Sequence, residues 1–257
     1  MLQVMLCAIC MMSAALLYYD FVIIPRQNRE LVEDLKSHFP EEFPPGGGSP
    51  TQKEEQAGRE LEVPAVDFRS LQSQYPDVRG WLTIQESGID YPVLQSSPEE
   101  PEYYLPRDYR GNYDINGSLF LQADCILGES GNLTIYGHNM KDGSMFADLT
   151  KYRSKDFWQA HKTVWFDTAA GGCSYEIFAV IHTTVQADAA AAFPFYRFVN
   201  AASSEEFADY VSACKVRALY DTGISAEYGD KLLTLSTCDN ITDNGRLLVI
   251  AKQTKTE

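Results

Sequence analysis

The chain has 257 residues and a formal net charge of −15, with 45% apolar and 12% aromatic residues. That length suits one good-sized domain with additions, and that apolar content buries a core rather than leaving the chain disordered. The acidity excludes a nucleic-acid-binding face, which needs clustered Lys and Arg against phosphate.

The first element is apolar. Leu2 to Tyr19 carries no charge, and Phe21 to Ile24 extends the run beyond Asp20. A helix of that length can cross a bilayer core of about 30 Å, so residues 1–24 are expected to be a transmembrane anchor. The run is longer than the apolar part of a cleaved signal, and no small-residue cleavage site follows it. Arg26 and Arg29 come after the span and nothing basic precedes it. Charge counting alone therefore places the rest of the chain in the cytoplasm.

Residues 25–60 read as stalk and flexible linker. Leu31, Val32, Leu35 and Phe39 form a stripe that predicts a short amphipathic helix. Phe43-Pro44-Pro45-Gly46-Gly47-Gly48-Ser49-Pro50 then breaks regular structure. The folded domain is expected over residues 61–257. A brief helix is expected within Val66 to Tyr75, and strands at 81–84, 89–93, 118–121, 133–136, 164–166 and 175–185, where β-branched and aromatic residues dominate. Met145 to Tyr152 reads as helical. Ser203 to Leu219 is the best helix: a serine can cap it, Glu205 and Glu206 suit its first turn, and Phe207, Tyr210, Val211 and Cys214 share a face. Leu232 to Thr237 and Leu247 to Ala251 are apolar strands. This is a mainly β pattern with added helices, and it suggests a closed β-barrel with insertions. The last residues, from Lys252 on, are polar and are not expected to serve as an apolar sorting tail.

Cys7 and Cys10 lie in the apolar run, while Cys125, Cys173, Cys214 and Cys238 are scattered without a C-x-x-C pair. This is neither a zinc framework nor a disulfide scaffold, and no metal or cofactor is expected. Cys238 ends an apolar strand, and Arg246 opens the next one after a turn-rich loop. An antiparallel pair joined this way sets the two side by side at one rim. A nearby cation can depress a thiol pKa, and a guanidinium can also donate to an oxyanion. A histidine near neutrality can protonate a leaving amine. His38 falls in the stalk, His161 reads as exposed, and His182 lies inside a strand. His138, in Tyr136-Gly137-His138-Asn139, follows a strand directly and suits a rim. Taken singly, a strand-end cysteine is more often buried and inert, and an isolated Arg or His is usually structural.

Together these residues stand in recognisable motifs. Thr234-Leu235-Ser236-Thr237-Cys238 resembles the TLxTC motif of sortases, and Arg246 before Leu247-Leu248-Val249-Ile250-Ala251-Lys252 resembles the arginine strand that follows it. Ile135 to Phe146 is similar to the class B histidine motif, as are Ile89-Asp90-Tyr91-Pro92-Val93 and Gly117-Ser118-Leu119-Phe120-Leu121 to other class B segments. The resemblance spans roughly residues 71–252. It implies an eight-stranded barrel with N-terminal helices and a long helix before the cysteine strand, and a single-pass protein of the cell membrane with its catalytic domain outside, against the charge count. It implies further that Cys238 attacks the Thr carbonyl of a sorting signal on a surface protein and forms a thioester. His138 protonates the departing amine and Arg246 holds substrate and oxyanion. An amine of a cell-wall precursor or a pilin subunit then releases the product. Leu105, Ser236, Phe195, Tyr196 and Asp239 would line the substrate groove, although ordinary packing explains them equally well. Pro101 and the stretch Ala187 to Ala192 depart from the family pattern and bear on peptide specificity. Two rival readings are a cysteine hydrolase of similar peptides and a catalytically inactive wall-binding domain.

Overall fold

Apolar and aromatic residues at alternate positions are what turn this chain into a barrel. The computed structural model describes residues 2–37, 68–184, 192–239 and 244–254. Eight strands close in the order β1-β2-β3-β4-β7-β8-β6-β5. They are β1 Val78–Thr83, β2 Asp90–Leu94, β3 Leu119–Leu121, β4 Asn132–Gly137, β5 Thr163–Thr168, β6 Gly171–Thr184, β7 Leu232–Asp239 and β8 Gly245–Gln253. The pairs β2–β3 and β4–β7 are parallel, and the other neighbours are antiparallel. A parallel pair cannot be joined by a tight turn. Residues 95–118 make the first crossover and everything between β4 and β7 makes the second.

Successive strand residues face opposite sides, and the packing divides accordingly. Leu82, Val93, Leu121, Ile135, Leu235 and Val249 belong to one buried cluster inside the barrel. Their sequence neighbours turn outward. Leu232, Leu248 and Ile250 pack under the helix α5, Ser204–Arg217, together with its Phe207, Tyr210, Val211 and Cys214. Trp81, Leu94 and Phe120 pack under the helices α2, Ile24–Lys36, and α3, Phe68–Gln74. Ser203 caps α5 by accepting from the Glu206 backbone N–H at 3.2 Å. The short helix α4, Lys155–Ala160, buries Trp158.

Several sequence expectations change. The stalk expected over residues 25–60 does not hold for α2, which sits on the barrel: Val32 and Leu35 are buried against Phe68, Leu71 and Tyr104. Lys36 reaches Asp90 at 2.8 Å, and Asp90 also accepts from the Trp81 indole at 2.6 Å. The Pro/Gly stretch at 43–50 and the expected domain start at 61 lie outside the described residues. Met145 to Tyr152 is not an α-helix. The Phe146 N–H is drawn back to the His138 carbonyl at 2.8 Å, so only a 3₁₀ turn, Ala147–Arg153, follows.

The expected transmembrane anchor and single-pass membrane placement are overturned. The helix α1, Leu2–Tyr18, has 17 residues and is followed by a π-helical turn, Tyr19–Ile23, that contains Asp20. At 1.5 Å per residue, α1 is about 26 Å long, short of a hydrocarbon core of about 30 Å. Among the described residues no helix is long and apolar enough to cross a membrane.

Candidate active site

Strands β4, β7 and β8 lie side by side, and their register builds the site. β7 pairs with β4 so that Tyr136 meets Ser236 and Gly137 meets Thr237. The next residues along that parallel pair are His138 and Cys238. β7 pairs with β8 so that Cys238 faces Arg246 directly. On each strand residues an odd number of places away point into the barrel: Ile135 on β4, Leu235 on β7, Leu247 on β8. Alternation then turns His138, Cys238 and Arg246 to the outside of one rim. The Thr237 hydroxyl donates to the Gly137 carbonyl at 2.8 Å, and the Asn139 amide donates to the Cys238 carbonyl at 3.2 Å. Both bonds fix the offset between the histidine and cysteine strands. Gly137 is required here because a Cβ would sit 2.3 Å from the Leu119 side chain and 2.8 Å from the Phe146 ring.

The imidazole of His138 is held from above. Its Nε2 lies 2.9 Å from the Leu105 carbonyl oxygen. A carbonyl only accepts, so Nε2 carries the hydrogen, and Nδ1 remains to take up and deliver a proton. Leu105 is brought in by the 95–118 crossover, which bonds across itself: the Ser118 N–H donates to the Tyr104 carbonyl at 3.1 Å and the Ser118 hydroxyl to the Arg107 carbonyl at 2.9 Å. The crossover passes so close to Gly117 that a Cβ there would be 2.1 Å from the Leu105 oxygen, and Gly117 has φ +59°.

The three residues open into a cleft of about 810 Å³ that Leu105, Phe195, Tyr196 and Ser236 also line. Phe195 is buried, and Tyr196 packs edge-to-face on it with ring centres 5.7 Å apart. The floor carries a polar chain that the sequence did not reveal. The Tyr136 hydroxyl donates to Gln122 Oε1 at 2.6 Å, and Gln122 Nε2 donates to Asp124 Oδ1 at 2.7 Å and to the Tyr196 carbonyl at 2.8 Å. Burial pushes the Tyr136 hydroxyl pKa well up, so it stays a donor. Tyr136 stood in the histidine motif. Its place two residues before His138, on the same side of β4, was the signal that could have marked it.

Asp239 is the expected groove residue that the structure puts elsewhere. It follows Cys238, so alternation sends it inward. Its side chain is buried and pairs with Arg153 and with His182 Nε2 at 3.2 Å. Its place is the inner side of the rim, away from the cleft-lining residues. The Ala187 to Ala192 stretch lies outside the described residues apart from Ala192, which forms a bridge with Thr184. Among the described residues no group of three or more His, Cys, Asp or Glu is placed to hold a metal ion. Two other thiols are poor nucleophiles: burial pushes Cys125 up to about 11 and Cys214 up to about 12.

Residues 82–254 match the family model described as the sortase domain. The chain is 38% identical over 191 residues to sortase B of Listeria monocytogenes, which covers 72% of this chain and 73% of that protein. It is similar to the crystal structure of Bacillus anthracis sortase B in complex with AAEK1, with 28% identity, a TM-score of 0.72, and coverage of 91% of this chain and 99% of that one. It is also similar to the Staphylococcus aureus sortase B-substrate complex, with 25% identity, a TM-score of 0.65, and coverage of 74% and 85%.

Proposed function

We propose, on the premise that this chain belongs to the sortase family and is a cysteine transpeptidase of its class B, that it cleaves a sorting signal after Thr and passes the acyl group to an amine. The observation that carries this reading is the β4–β7–β8 register, which sets His138, Cys238 and Arg246 on one rim facing one cleft. The substrate-bound relative supports a peptide as occupant of that cleft.

In this reading the Cys238 thiolate attacks the Thr carbonyl carbon. Negative charge develops on the carbonyl oxygen, and the Arg246 guanidinium donates to it. As the intermediate collapses, the C–N bond breaks and His138 gives its Nδ1 proton to the leaving amine. The product is a thioester on Cys238. His138, now neutral at Nδ1, takes a proton from the incoming amine of a cell-wall precursor or another protein. That amine attacks the thioester and frees the thiolate. Leu105, Ser236, Phe195 and Tyr196 would hold the peptide, with the Tyr136–Gln122 chain offering polar contacts along the floor.

The test is a library of Thr-containing peptides incubated with the chain, with and without triglycine, and followed by mass spectrometry. Cleavage, an acyl adduct on the Cys238 peptide and a ligated product with triglycine are expected. Cys238→Ala should abolish all three. Cleavage to the free acid with no ligation at any amine concentration would favour the hydrolase reading, and cleavage that survives in Cys238→Ala would end both.

A further inference from the structure

Behind the rim that carries His138, Cys238 and Arg246 lies a second group of ionisable side chains, on the inner face of the barrel. Asp239 is at its centre. Its carboxylate is fully buried and meets the Arg153 guanidinium on one oxygen and His182 Nε2, 3.2 Å away, on the other. Arg153 and His182 are each about a third exposed or less at the side chain (36% and 29%), so the group closes the barrel end with its carboxylate inside.

Each member belongs to a segment that carries a reacting residue or is hydrogen-bonded to one that does. Asp239 follows Cys238 on β7. His182 stands on β6 opposite Leu247, the residue after Arg246, while Thr183 pairs with Arg246 itself. Arg153 ends the 3₁₀ turn that begins where Phe146 is bonded to the His138 carbonyl. A buried carboxylate is tolerable only while its partners stay in place. The network therefore adds a polar link, at the barrel end, between three segments whose apolar side chains Tyr152, Val180 and Leu235 already share the core. The loop from Cys238 to Arg246 also leaves the barrel at Asp239, where pairing with Gly245 ends the β7–β8 ladder.

From this juxtaposition we infer that Asp239, with Arg153 and His182, is a positioning device. It holds the ends of β7, β8 and the His138 segment in the relative offset that the outer-face residues need. Asp239 touches no substrate. It acts through the backbone of Cys238 and through the segments that Arg153 and His182 carry. The inference rests on the proposed transpeptidase reading for its kinetic arm, and has a second arm that needs no peptide substrate.

The experiment compares Asp239→Asn, Arg153→Gln, His182→Phe, His182→Gln and the Arg153→Gln/Asp239→Asn double variant. Each is assayed below its own melting midpoint with the best peptide from the library. Asp239→Asn, Arg153→Gln and His182→Phe should lower kcat by 10-fold or more while KM changes less than 2-fold, because the cleft surface is untouched. His182→Gln, which keeps a polar group beside Asp239, should recover most of what His182→Phe loses. The double variant should be no slower than Asp239→Asn by more than 3-fold, because one network is lost only once. Alkylation of Cys238 by iodoacetamide should change rate by at least 3-fold in the same variants. If Asp239→Asn does not fold, Arg153→Gln and the two His182 variants decide alone. Wild-type kcat in Arg153→Gln and His182→Phe, with unchanged alkylation, would overturn the positioning role. Altered alkylation in a chain that cleaves no peptide would sustain it while removing the proposed substrate reading.

Discussion

Replacing Gly117 by alanine should slow the protein by about one to two orders of magnitude without touching any reacting group. Two effects combine at this position. The backbone is left-handed at φ +59°, where a Cβ costs about 1–2 kcal/mol. The added Cβ would also lie 2.1 Å from the Leu105 oxygen, against a floor of 3.0 Å for real contacts. The neighbour is backbone, so it cannot turn aside as a side chain would, and the crossover must retreat by close to 1 Å. The Leu105 oxygen is the one that holds His138 Nε2 at 2.9 Å, and a shift of that size takes the pair beyond hydrogen-bond reach. A bond to an imidazole that is charged during the reaction is worth about 1.5–3 kcal/mol. If that is lost at the transition state, kcat/KM falls by about 10–150-fold. The backbone strain lowers the melting midpoint by about 2–8 °C. The assay is steady-state peptide cleavage below the variant's midpoint, beside a melting curve. Gly223→Ala is the control, because Gly223 has φ +75° but open space around its Cβ position. It should lose comparable stability and keep full activity. Wild-type kcat/KM in Gly117→Ala would refute the claim that the Leu105 carbonyl orients His138. An equal loss of activity in Gly223→Ala would show that strain alone accounts for the effect.

Arg246→Lys should lose about 10²–10³ in kcat, close to Arg246→Ala, because lysine lacks the planar fork of donors; near-wild-type turnover in the lysine variant would show that charge suffices. Asp167 is buried with no partner for its Oδ1 among the described residues, and burial raises its pKa to about 6. The folded state thus takes up a proton between about pH 6 and the unfolded value near 4, and this group destabilises the fold increasingly as pH rises through that window. Asp167→Asn should accordingly stabilise the protein by about 1–3 kcal/mol at pH 7.5, and the gain should vanish near pH 4, as read by denaturant melts at both pH values. Ser203→Ala removes the cap of α5 and should cost about 1 kcal/mol, seen as a midpoint about 2–4 °C lower with peptide cleavage unchanged.

The arrangement of His138, Cys238 and Arg246 was legible in sequence because each stands at the end or start of an apolar strand, and strand ends meet at rims. The helix over 203–219 was legible because its cap, charges and apolar face agree. What was hidden depends on contacts across long separations. Nothing near Leu105 in sequence says that its carbonyl reaches His138; that follows from where the 95–118 crossover is pinned. Tyr136 and Gln122 meet only because β3 and β4 pair, with Phe120 opposite Tyr136. Asp239 reads as a groove residue from its place beside Cys238, although the alternation that turns Cys238 outward must turn the next residue inward. α2 reads as stalk in sequence because proline and glycine follow it, yet a stripe of Val32 and Leu35 is as suited to docking on a barrel as to isolation.

The pairing of β4 with β7 has a consequence for how the protein folds. Gly137 and Thr237 are 100 residues apart and join in a parallel ladder. Closing so long a chain segment is entropically costly before any contact repays it, and such non-local parallel pairings form slowly. Cys238 and His138 belong to the two sides of that ladder. They cannot meet in a half-folded chain, whatever local hairpins such as β5–β6 or β7–β8 have already formed. A newly made or refolding molecule would therefore carry an unreactive thiol until the barrel is complete, and recovery of peptide cleavage should lag behind the recovery of strand signal in a refolding experiment.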